Sequence, residues 1–269
     1  LPISAPAPIA PSGDTRGATT IPPGATPAEA FAILARSGGI VQEAKSAPEL
    51  YHNARSFEAR GDSASARRDY LALANLGGDA IDPHLRFAAL LRAQDGRAGA
   101  REIYSRLAAE TQGRAAPFVH ALQFDGDERR RRIEALTAAH PDYAPAQKLF
   151  AEEFSSDRQG AQTLADKRRE LELHERFLAA EAEGKLVPYF LDQSVLTEWV
   201  DGSRRARETL ALQLKNTPTQ PAAVFQRSNA GWMVSVTPPE AAIAVYWRMG
   251  PGEFVSTGHF PTPDSRTGK

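Results

Sequence analysis

Apolar and small residues recur at three- and four-residue intervals through the middle of the chain, and strict alternation takes over only near its C-terminal end. The first pattern puts one face of a helix on a core, and the second puts alternate side chains on one face of a strand. Thr26-Pro27-Ala28-Glu29 opens the helical stretch with a capping box and proline at the first helical position. Ser46-Ala47-Pro48-Glu49 repeats the device twenty residues later, which predicts short helices joined by tight turns. Gly160 to Ala182 predicts one longer helix. An apolar cluster follows at Val187, Tyr189, Phe190, Leu191, Val195, Leu196 and Trp199, and Arg204 to Leu214 predicts another helix that would close the array. Beyond these, Trp232, Val234 and Val236 share a face, and Gly250-Pro251-Gly252 turns between two strand-like runs.

Composition sharpens this into three zones. Residues 1–27 carry seven of the twenty prolines and only two charges, Asp14 and Arg16, so they read as a disordered tail or linker. Residues 28–217 carry 56 of the 65 charges and only six prolines, which suits helices rich in alanine, leucine, arginine and glutamate. Residues 218–269 return to seven prolines and seven charges and read as a small β unit, either cut short at Lys269 or packed on the helices. The expected fold class is mainly α, a helical-repeat domain followed by that β unit.

The helical zone repeats itself at a spacing of 34 residues. Ala54 falls on Ala88, Phe57 on Leu91, Ala64 on Ala98, Ala66 on Ala100, Arg67 on Arg101, Tyr70 on Tyr104 and Leu73 on Leu107. Gly61-Asp62 falls on Asp95-Gly96, a turn in both copies. Small residues on either side of each turn let two helices approach closely, and Phe57 and Tyr70 fill the space beside them. One such hairpin cannot cover its own apolar face, so a neighbour must stack on it. A third copy starts near Pro117, with Gly126-Asp127 as its turn, and a fourth near Pro145, with Ala151 and Phe154.

This spacing resembles the tetratricopeptide repeat over roughly residues 47–114. The pattern departs at His84, where a bulky first residue is usual, and at Arg131, where alanine is expected in the third copy. Related helical-hairpin repeats and a generic α-bundle stay open. The resemblance implies an α-solenoid whose concave face is lined by the first helix of each pair. On that face it places Tyr51, Arg55 and Glu58 from the first copy and Leu85 and Arg92 from the second. It implies a non-enzymatic scaffold that binds a peptide or protein segment, with arginine pairing carboxylates.

Charge and chemistry narrow the choice further. A net charge of −1 over 269 residues leaves no bulk positive field to displace counterions, so nucleic acid is not an expected partner. No apolar run approaches the roughly 20 residues that span a bilayer, so no transmembrane segment is expected. Cysteine is absent, which removes disulfides, thiolate nucleophiles and cysteine-ligated zinc. No hydrolase elbow, zinc-protease or phosphate-loop pattern occurs, and no cofactor or metal is expected. Glu170 and His174 lie one turn apart, a spacing that fits a shared metal but more simply a structural or solvated pair. Arg129-Arg130-Arg131-Arg132 reads as a solvated helix face, its field diluted by Asp125, Asp127 and Glu128.

Two further readings differ in class. The opening Leu1-Pro2-Ile3-Ser4-Ala5-Pro6-Ala7-Pro8 looks like what remains after a signal peptide is removed. It points to export, periplasmic or extracellular, with the cytoplasm as the alternative. Ala244-Val245-Tyr246-Trp247-Arg248-Met249-Gly250 resembles a strand-and-turn pattern of bacterial immunoglobulin-like extracellular modules. An exported chain of that kind would bind cell-envelope glycan or peptidoglycan through Trp232 or Trp247. An enzyme with a site at the junction of the two parts is the third reading.

Overall fold

The computed structural model describes residues 21–155 and 162–216, and these are mainly α-helical. The helices are α1 (Pro27–Ser37), α2 (Ala47–Ala59), α3 (Ser63–Asn75), α4 (Ile81–Glu110), α5 (Ala115–Ala121), α6 (Gly126–Ala139), α7 (Pro145–Ala151), α8 (Leu164–Ala182) and α9 (Gln193–Asn216). Short 3-10 turns lie at Glu152–Phe154 and Val187–Tyr189. Each helix packs against the next in chain order, an arrangement compatible with a helical repeat. The β unit expected over 218–269, with Trp232, Tyr246, Trp247 and His259, lies outside the described residues, as does most of the proline-rich tail.

Local chemistry accounts for most boundaries. The Thr26 hydroxyl accepts from the Glu29 amide, and the Glu29 carboxylate takes the Thr26 amide at 2.7 Å. At α2 the Glu49 carboxylate takes the Ser46 amide at 2.9 Å. Asp62 caps α3 through the Ser65 amide at 3.1 Å. Gly96 interrupts α4 with φ 71° and ψ −179°, a conformation open to glycine and little else, so α4 is a helical hairpin about the expected turn.

Two expectations need correction. The connection from α1 to α2 is a loop over 38–46 rather than a tight turn. It is held by α2 side chains: Asn53 bonds both the amide and the carbonyl of Val41 at 2.8 Å, and the His52 ring meets the Gly39 carbonyl at 2.5 Å. In addition, α9 starts at Gln193, well before Arg204, because Leu196 and Val200 continue its buried face.

The predicted seams are dry. Ala54, Ala66 and Ala100 have no exposed surface, and Ala88 has almost none. A ladder of rings runs beside them: Phe31 to Tyr51 (4.8 Å between centroids), Tyr51 to Tyr70 (6.2 Å), Tyr70 to Phe87 (5.8 Å) and Phe87 to Tyr104 (6.0 Å). Each contact adds about 0.5–1.5 kcal/mol beyond the area it buries. The phenolic oxygens are not stranded, since Tyr104 donates to the His84 carbonyl at 2.7 Å and Tyr70 to the Glu58 carboxylate at 3.0 Å.

The arginine run on α6 is structural. Arg129 pairs with Glu153 at 2.9 Å and Arg130 with Asp166 at 3.5 Å, tying α6 to the elements that follow, while Arg131 and Arg132 share Glu128. Glu170 and His174 are both buried and 3.8 Å apart, so of the two expected forms the pair is the structural one rather than the solvated one. Among the described residues no group of three or more His, Asp or Glu side chains is placed to hold a metal, and no helix is long and apolar enough to cross a membrane.

Candidate partner-binding groove

The amino-terminal ends of α4, α5 and α7 are drawn together by one arginine. The Arg114 guanidinium donates to Asp79 at 2.6 and 3.0 Å and to Asp142 at 2.5 Å, and the Arg114 amide also meets Asp79 at 2.8 Å. The Tyr143 hydroxyl donates to the Asp79 carbonyl at 3.0 Å. Across this row of helix ends, and on toward α2, runs the segment Leu186–Asp192 that links α8 to α9.

The row holds that segment by charge and by apolar burial. Asp82, in the first turn of α4, points one carboxylate oxygen at the Leu191 amide (3.0 Å) and the other at the Asp192 amide (2.9 Å). Arg55 on α2 donates to the Asp192 carboxylate at 2.9 Å. Tyr189 stacks edge-on against Tyr143 at 5.0 Å, under the Arg114 guanidinium. Leu186, Phe190 and Leu191 are buried in the main core, Phe190 against Trp199 of α9. The 3-10 turn at Val187–Tyr189 also touches α1, so the segment reaches back to the first described helix.

The electrostatics follow from burial. Loss of water raises the Asp82 carboxyl to about 7, even though the Asp192 and Leu191 amides pull it down. Asp192 is also raised by burial, but the hydrogen bonds from Ser194 and the Arg55 pair outweigh that and leave it below its ordinary value. His84, two residues along α4, is fully enclosed with neither ring nitrogen hydrogen-bonded, and burial lowers it to about 4.

Beyond Asp192 the groove stays open as a cavity of about 490 Å³ between α1, α2 and α4, lined among others by Phe31, His52, Arg55, Glu58, Arg86 and Asp192. Arg86 lies 3.5 Å from Glu58, its side chain is 42% exposed, and its Nε makes no hydrogen bond.

The five residues placed on the binding face by resemblance therefore divide. Arg55 and Glu58 line the cavity. Tyr51 has no exposed surface and belongs to the ring ladder beneath it. Leu85 is half-buried against the core, and Arg92 is exposed on α4 outside the cavity. Asp82, Arg86, Arg114 and Asp192 were not among the expected site residues. The only local signal for Asp82 was an acid in the first turn of a helix, and for Asp192 an acid just before one; neither reveals a contact across 110 positions. No protein-family model, curated protein or solved structure matches the chain.

Proposed function

We propose that the chain is a non-enzymatic interaction protein of the tetratricopeptide-like solenoid type, which holds a partner's peptide segment along its inner face. The observation that carries this reading is the grip on Leu186–Asp192, a 3-10 turn and the short stretch after it, held by paired amide–carboxylate bonds, an arginine on a side-chain carboxylate and buried apolar anchors. Those are the interactions by which helical surfaces bind peptides. The partner enters at the open cavity, where the partly exposed Arg86 side chain, now beside Glu58, offers charge for an acidic side chain and Phe31 an apolar wall. Arg55 is a poor probe of that contact because it already holds Asp192.

The test is capture of partners by wild type and by Arg86→Glu from the native source, each first shown by circular dichroism to be folded. Loss of the same partners in Arg86→Glu is expected. Equal recovery would move the site off this cavity.

A further inference from the structure

We propose that Leu186–Asp192 is an intramolecular ligand of the groove, so that a partner must displace it. The partner segment then shares its chemistry: a short stretch in which an aromatic and an aliphatic residue precede a carboxylate. This deepens the interaction-protein reading and rests on it.

Three features carry the inference. First, the site is filled. Each Asp82 oxygen accepts from one amide of the segment and the side chain is buried, so a second strand reaches it only when Leu191 and Asp192 have moved away. Second, the segment is a loop between α8 and α9, and those two helices pack directly on each other, so its release leaves their hairpin in place. It takes Leu186, Phe190 and Leu191 out of the main core, and the apolar residues of the partner must refill that space. Gly184, at φ 71° on the carboxyl side of α8, supplies the bend at one end. Third, a foothold adjoins it. The cavity shares Arg55 and Asp192 with the segment's end, so a partner carboxylate arriving at Arg86 lies beside the ion pair it must replace.

The probe is a fluorescein-labelled peptide with the sequence of residues 187–194, added to the full chain. Wild type is compared with a Tyr189→Ala, Leu191→Ala double variant whose own segment grips less well. Because the competent, vacated groove is a minor state in wild type, the double variant should bind the peptide about tenfold more tightly. A peptide carrying Asp192→Asn should bind less well to both. Excess unlabelled peptide should also speed chymotrypsin cleavage of wild type within Tyr189–Leu191, as the segment is expelled.

Absence of binding to either protein, or equal affinity for both with unchanged cleavage, overturns the proposal. If the double variant does not fold, the cleavage result with wild type decides alone. Loss of partners in Arg86→Glu with no peptide effect would leave the binding reading standing and remove the displacement. A peptide effect with partners unaffected by Arg86→Glu would support the displaced segment and move the partner's entry point off Arg86.

Discussion

Asp82 and His84 make opposite demands on the pH dependence of stability, and replacing one should unmask the other. Asp82 titrates at about 7 in the folded chain but near its ordinary value of 3.8 when unfolded. Between those limits the folded state carries a proton that the unfolded state has lost, so stability falls as pH rises, by up to about 4 kcal/mol over the window. His84 titrates at about 4 when folded and near 6.5 when unfolded. There the unfolded state holds the extra proton, so stability rises with pH, by up to about 3 kcal/mol. From pH 5 to 6.5 the two slopes, each about 1.4 kcal/mol per pH unit, nearly cancel.

His120, also held below its ordinary value chiefly by burial, and glutamates held low, such as Glu49, add a rising slope that wild type and both variants share. The variants are therefore read against wild type in urea unfolding followed by circular dichroism at pH 5.0, 5.5, 6.0 and 6.5. Relative to wild type, Asp82→Asn should climb by about 2 kcal/mol over that range, and His84→Leu should fall by about as much. Parallel profiles for wild type and Asp82→Asn would refute a neutral, buried Asp82 at the segment.

Three other substitutions probe the packing. Leu191→Ala empties a buried site in the main cluster and should cost about 2–5 kcal/mol in urea unfolding, whereas a loss below about 0.5 kcal/mol would mean that the side chain is not enclosed. Gly96→Ala meets no atom within 4 Å of the new Cβ, so its expected loss of about 1–3 kcal/mol comes from the backbone alone; an unchanged midpoint would place the turn elsewhere. Ala66→Trp should overpack the α2–α3 seam by about 1–3 kcal/mol or more, read as a drop in Tm.

Local and periodic information was enough for much of the fold. Thr26 and Glu29 mark a helix start because their reciprocal bonds need only three residues of separation. Ala54, Ala66, Ala88 and Ala100 mark seams because only small side chains allow that approach, and a 34-residue spacing exposes them. The site was less legible. Of the residues that the resemblance assigned to a binding face, Arg55 and Glu58 line the cavity, whereas Tyr51 has no exposed surface and lies in the ring ladder. What filled the groove was illegible for a physical reason: Phe190, Leu191 and Asp192 have the composition of any helix lead-in, and their role comes from Asp82 and Arg55, more than 100 positions away. The spacing of Glu170 and His174 left a structural and a solvated pair equally open, since burial depends on parts of the fold that the spacing does not contain.

Occupation of the groove is tested most directly by residue-resolved hydrogen exchange of the unliganded chain. The Leu191 and Asp192 amides, both bonded to the Asp82 carboxylate, should exchange as slowly as the core amides of α2. Exchange of these two amides at the rate of a free peptide, with α2 protected, would contradict it.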